Sequence, residues 1–227
     1  MSTPVRVRLA FAALALPAVL LQACSRPAGT AVAVNWTGLD AEVDRPPLPI
    51  GVLVDATGPG SAAGRPFADA LRAALAAQKP VNGRSLVSYV FDDRSRPAGP
   101  SSAAERFERD PGAVIAIVGP EAARGAALAV AAPKTVVVCA GCDASGAPRE
   151  GSFALTAPAG ASAAATAEAA ARWIVDALRE SDPYRPCDVA TALRTTPAPA
   201  GYARVEGTGP PVDPHAFRLR PAPAAKK

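Results

Sequence analysis

The sequence predicts an α/β fold, an open and mostly parallel doubly wound sheet with helices on both faces. Three observations carry this: short continuous apolar runs, longer Ala-rich stretches of helical period between them, and their regular alternation from Pro49 onward. Ile50 and Val52, Leu53 and Val54 form the first run, broken only by Gly51, as expected of a strand covered on both faces. Residues 62–78 read as the first helix, with Phe67, Leu71, Ala74, Leu75 and Gln78 at helical spacing. The second strand spans residues 86–91 and ends in Asp92 and Asp93. A short helix over residues 101–108 follows, with Ser101 or Ser102 as its N-cap. Residues 113–118 make a third strand, 122–132 a third helix closed by Pro133, and 135–139 a fourth strand. In such sheets ligands bind beyond the carboxyl ends of the strands, here residues 55–64, 119–124 and 140–145.

The start of the chain has a different character. Residues 1–23 have the layout of an export signal: Arg6 and Arg8 precede an apolar run that is too short to span a bilayer permanently. Leu21-Gln22-Ala23-Cys24 resembles the lipobox of bacterial lipoproteins. That resemblance implies cleavage before Cys24, a thioether-linked lipid on its sulfur and an acyl chain on the new amine, which together anchor more firmly than one chain. Ser25 after the cysteine implies the outer membrane if the envelope is Gram-negative. The alternative is an ordinary cleaved signal with an incidental Cys24. Residues 24–48 lack hydrophobic periodicity and carry Pro and Gly, so they read as a flexible tether. Asn35-Trp36-Thr37 is a sequon by chance.

About 200 residues remain after the signal, enough for one well-cored domain, placed at 49–222 with a frayed tail at 223–227. The net charge of +4 is spread along the chain and forms no basic stripe, so nucleic-acid binding is not expected. With Cys24 assigned to lipid, Cys139, Cys142 and Cys187 remain in an oxidising compartment, an odd number that requires a free thiol or an intermolecular bond.

The residues offer several chemistries. Gly58, Gly60 and Gly64 open a helix after a strand, but the third glycine stands one place late for a dinucleotide-binding turn, and no cofactor is expected. Cys139-Ala140-Gly141-Cys142 fits a local disulfide, a redox dithiol or half a metal site. No second Cys/His pair completes a cage, so the structural disulfide is preferred and no metal is expected; Cys187 is an alternative partner. His215 is the one histidine, and in its Pro-flanked setting it reads as exposed and structural. Asp92 and Asp93 read as turning the chain through local hydrogen bonds, while Glu105, Arg106, Glu108 and Arg109 read as a solvated helix face.

Taken together, Ile50 to Val54, Thr57-Gly58-Pro59, Gly64, Val81-Asn82-Gly83-Arg84, Asp92-Asp93, Ala103-Ala104-Glu105-Arg106 and Val118-Gly119-Pro120 resemble the first lobe of branched-chain amino-acid substrate-binding proteins of ABC transporters. The resemblance covers residues 49–158. It returns at residues 173–178, 188–194, 211–214 and 217–220, which are similar to the family's closing segment. The second lobe that normally stands between the two matches is missing, which implies a single type I periplasmic-binding-protein lobe. Capture by closure of two lobes would then be lost, leaving the ligand face open.

The resemblance also places the ligand positions at Ala63 after the first strand, Ala122 and Ala123 after the third, and Gly141, Cys142 and Asp143 after the fourth. Ala63 stands where the family often has an aromatic residue, and the family's hydroxyl donors are absent at Ala123 and in Gly141-Cys142-Asp143, so capture of amino acids in the family manner is weakened. The expected function is a lipid-anchored solute-binding-protein-like receptor for a small amino-acid-like solute, working with an ABC transporter permease. The alternative is an interaction or scaffolding lipoprotein, docking another envelope protein through apolar area freed at the strand ends. No enzyme is expected. Two short strands, at 203–206 and 217–220, end the chain.

Overall fold

A computed structural model describes residues 46–109, 113 and 115–209. The strands are β1 (Leu48–Val54), β2 (Leu86–Asp92), β3 (Ile115–Val118), β4 (Val136–Ala140), β5 (Ser152–Thr156) and β6 (Ala203–Glu206). The helices are α1 (Ser61–Ala76), α2 (Gly99–Arg109), α3 (Ala122–Ala131), α4 (Ala163–Arg179) and α5 (Pro186–Thr195), with a short 3-10 turn at Ala144–Gly146. The strands form one six-stranded sheet in the order β2-β1-β3-β4-β5-β6. All pairings are parallel except β5 with β6, which is antiparallel. The expected fold class holds.

The two-sided burial of the central strands explains their unbroken apolar runs. Ile50, Val52 and Val54 of β1 face one layer, with Ile115 and Ile117 of β3 beside them; α1, α4 and α5 cover this face through Phe67, Leu71, Trp173, Ile174 and Val189. Leu53, Val118, Val137 and Cys139 face the other layer, built by α2 and α3 with Phe107 and Leu128. Fully burying a side chain of this size contributes about 1.5–3 kcal/mol. Gly51 interrupts the first run because the Phe107 ring lies where its side chain would be, 2.9 Å from an added Cβ. Phe153 and Trp173 meet edge to face at 6.1 Å and join β5 to α4.

Local chemistry sets the boundaries. α4 starts where the Ser162 hydroxyl accepts the amide hydrogen of Ala165. α3 ends under buried Arg149, whose guanidinium donates to the carbonyls of Ala129, Ala132 and Thr135 and so satisfies a helix C-terminus. β6 is held to the end of α5 by Arg204, which donates to the Leu193 and Thr196 carbonyls, and by Arg194, 2.6 Å from Glu206.

Some expected boundaries shift. α2 begins at Gly99, not at 101, so Ser101 and Ser102 lie within its first turn and do not cap it. Pro100 explains the early start, since proline is tolerated where helix amides lack partners. β3 begins at Ile115, two residues later than expected, and β4 runs one residue further, to Ala140. The strand at 203–206 is found as β6, at one edge of the sheet. β2 is the other edge, where Tyr89 is 43% exposed. The export signal, Cys24, the tether, His215 and the strand at 217–220 lie outside the described residues. Among the described residues no helix is long and apolar enough to cross a membrane.

Candidate functional site

β1 pairs with β2 on one side and β3 on the other, while the connections through α1 and α2 lie on opposite faces of the sheet. The chain therefore changes direction at the carboxyl ends of β1 and β3, the place where open α/β sheets leave a crevice. The loops after β1 to β5 gather along this edge. Gly64 lets α1 approach it, because an added Cβ would lie 1.9 Å from the Asp55 carbonyl oxygen, far inside contact distance.

Charged and hydroxyl groups occupy the crevice. Asp55, 1% exposed, accepts the amide hydrogens of Gly58 at 2.5 Å and Gly60 at 2.7 Å, and the Ser95 hydroxyl hydrogen. Burial works against its charge, but the Ser95 hydroxyl, the Gly60 and Gly58 amides and the Arg124 charge outweigh that and lower the carboxyl below its ordinary value. Arg124 donates to Asp93 at 2.7 Å and to Ser95 Oγ at 3.3 Å, and lies 2.7 Å from Glu121. The Arg124 and Asp93 side chains are 7% and 2% exposed, so each charge is buried with its partner.

Asp92 and Asp93 turn the chain as expected, accepting from the Arg94 and Ser95 amides. They also reach further. Asp92 accepts from the Ala56 amide at 2.9 Å and the Thr57 hydroxyl at 2.5 Å, tying the loop after β1 to β2. Burial opposes its charge, while the Thr57 hydroxyl and the Ala56 and Arg94 amides prevail and lower its carboxyl. Arg94 and Ser95 have φ of 53° and 54°, a left-handed backbone costing about 1–3 kcal/mol per residue that the aspartate bonds help maintain.

The expected ligand positions come together on this edge with unequal exposure. Ala63 is exposed in the first turn of α1, and Ala123 is exposed in the first turn of α3 beside half-buried Ala122. Gly141 is half-buried with φ of 80°, Cys142 is buried, and Asp143 is exposed. The Ser145 hydroxyl and amide bond to Asp143 and lower its carboxyl. Cys139 and Cys142 are disulfide-bonded. Of the two outcomes expected for the odd cysteine, the free thiol is not found: Cys187 is disulfide-bonded, and there is no free cysteine among the described residues.

Two further expectations change. Among the described residues the only exposed large hydrophobics are Tyr89 and Val130, within β2 and α3, so the strand ends carry no apolar patch. Small and polar residues in the loops account for this, since few large side chains were left there to uncover. On α2, Glu105, Arg106 and Arg109 are solvated, but Glu108 accepts the Lys134 amide hydrogen at 2.9 Å. Sequence reasoning did not single out Asp55, Ser95 or Arg124. The readable signal was an aspartate at a strand end ahead of two glycines. Elsewhere, a groove of about 500 Å³ on α4 and α5 is lined by Asp176, Arg179, Glu180, Thr195, Thr196 and Pro197. No grouping of metal-ligating side chains occurs among the described residues.

Comparison with known proteins adds to this geometry. No curated protein matches the chain. Among solved structures, an ABC transporter protein from Rhodopseudomonas palustris is 27% identical, with 40% of this chain and 29% of that chain covered and a TM-score of 0.37. A leucine-binding protein from Thermotoga maritima is 25% identical, with 40% and 27% covered and a TM-score of 0.37. The branched-chain amino acid transporter substrate-binding protein of Streptococcus pneumoniae, solved with isoleucine, is 16% identical, with 40% and 28% covered and a TM-score of 0.36. The chain thus spans less than a third of each of these structures. The family described as periplasmic binding protein matches residues 47–184, from the start of β1 to just beyond α4. With more than half of its length in that match, and a mostly parallel sheet whose loops meet at the β1/β3 switch point, the chain belongs to the periplasmic binding protein family.

Proposed function

We propose that the chain is an extracytoplasmic, lipid-anchored binding protein of the ABC-receptor type that works with one lobe. The family match across residues 47–184 carries this reading, because it overlies the strand-end edge where such sheets take ligands. The buried Cys139–Cys142 disulfide supports an oxidising compartment. The single lobe is supported by connectivity: β5 leads through residues 157–162 into α4, which packs against α1 on the same sheet. In this reading residues 1–23 are a cleaved signal, Cys24 carries the lipid and is closed to Cys187, whose disulfide is then made to a second molecule, residues 24–48 are the tether and 49–222 the lobe. The ligand is a small amino-acid-like solute contacting the loops of Ala63, Ala122, Ala123, Gly141, Cys142 and Asp143, and the partner is a transporter permease.

Calorimetry with an amino-acid panel tests the solute. Saturable heat at micromolar to millimolar ligand supports it, and silence throughout that range overturns it. Mass spectrometry of the purified N-terminus tests the anchor. An acylated Cys24 supports it, and a Cys24–Cys187 disulfide without acyl mass overturns it.

One observation counts against capture of a solute carboxylate at α1 and so bears on a second reading, a lipoprotein that docks another envelope protein. The Gly58 and Gly60 amides at the start of α1 already hold the Asp55 carboxylate, so they are not free to take a solute's carboxylate. Stoichiometric copurification of an envelope protein, with no response to solutes, would select this reading over the first.

A further inference from the structure

We infer that the Cys139–Cys142 disulfide is a clasp that holds the β4 and α3 loops of the strand-end face in place, and that its reduction releases them. The bond joins residues three apart. So short a ring removes little entropy from the unfolded chain compared with a long one, and the effect of the bond is therefore concentrated in the folded loops. Both residues are buried, at 0% and 3% exposure.

Backbone encloses the sulfurs. An added Cβ on Gly125 of α3 would lie 2.5 Å from Cys139 Sγ, and one on Gly146 would lie 3.0 Å from the same atom. The Glu121 carbonyl oxygen is 3.6 Å from Cys139 Sγ, and that of Gly119 is 3.9 Å from Cys142 Sγ. Glycine is thus found where sulfur has taken the side-chain space. Beyond the bond, the Cys142 carbonyl accepts from Thr156 at 2.8 Å and the Gly141 amide donates to Leu155 at 2.8 Å, so β5 is tied to the same turn.

Reduction has a steric consequence. A dithiol attacks one sulfur and then closes into its own disulfide; the protein bond takes up two electrons and two protons and becomes two thiols. Bonded sulfurs lie about 2.0 Å apart, whereas separated ones need van der Waals spacing, roughly 3.5–4.0 Å. Gly125 and Gly146 leave no side-chain space to take up that difference, so the first turn of α3 or the turn at Ala144–Gly146 must move.

The clasp lies on the face proposed for binding, but its test reads the loops and not a ligand, so either idea can fail alone. Folded protein is reduced with dithiothreitol, its new thiols are alkylated and counted by mass, and amide hydrogen exchange is compared with the oxidised protein. Amides in residues 119–125 and 141–147 are expected to exchange about tenfold faster or more, while those of β1 and β2 keep their protection. The C139A/C142A variant removes the link without the crowding, so a smaller rise in the same two segments is expected from it, and it covers the case in which the reductant does not reach the buried bond. Unchanged exchange in both segments, or a loss of protection spread equally over β1 and β2, overturns the inference.

Discussion

On the β1 and β2 side of the strand-end face, Asp55, Ser95, Arg124 and Asp93 hold the loops by charge and hydrogen bonds; on the β4 side a covalent bond set among glycines does so. The hydrogen bonds of the first half link residues up to 40 positions apart, and the second closes a link of three. Proton activity should therefore act on one half and electron donors on the other, so that the two can be loosened separately.

The largest effect that would break this comparison is expected at Arg124. R124M leaves the Asp93 charge buried with its main partner removed, which should cost about 3–5 kcal/mol in urea denaturation. A loss below 1 kcal/mol would mean the charged half is not held by this pair. G125A comes next: its new methyl meets Cys139 Sγ and Cβ, and about 1–3 kcal/mol is expected from overpacking. A neutral G125A, measured by thermal unfolding, would show that the sulfur environment yields easily. S95A should cost about 0.5–1.5 kcal/mol by removing the hydroxyl between Asp55 and Arg124, and its effect should be non-additive with that of R124M.

The pH dependence sharpens the contrast. Asp55 and Asp92 have carboxyls lowered from 3.8 in the folded protein. The stability they contribute is present above 3.8, their unfolded value, and is lost as pH falls through the lower folded values. Urea midpoints measured from pH 7 down to pH 3 should therefore fall at the acid end. D55N should flatten that fall, whereas C139A/C142A should leave its shape unchanged. If the cysteine variant flattens it instead, the two halves are one unit.

Periodicity made most of the fold legible. The run from Ile50 to Val54 is read correctly because both of its faces are covered, and the helix around Phe67 and Leu71 because one stripe faces the sheet. The start of α2 was less legible, since Gly99-Pro100 has the composition of a loop and becomes helical only where Gly99 packs against Asp93. In the site, the cysteine pair is visible because its members are three residues apart. The Arg124–Asp93 pair is not, because 31 residues separate its members and only the crossing through α2 and β3 brings them together. Asp55 is not legible in the sequence for a related reason: a strand-end aspartate gives no sign of what it accepts until the neighbouring loops are in place.

The two outer strands of the sheet are guarded unequally. β6 is short and laced by Arg194, Arg204 and Glu206, which discourages another strand from pairing with it. β2 offers the seven-residue stretch LVSYVFD, uncharged until Asp92 and with a tyrosine facing water at its centre. In concentrated solution, and above all while the chain is still folding, self-association should therefore begin along β2, and a lysine in place of Tyr89 should improve solubility without disturbing the core.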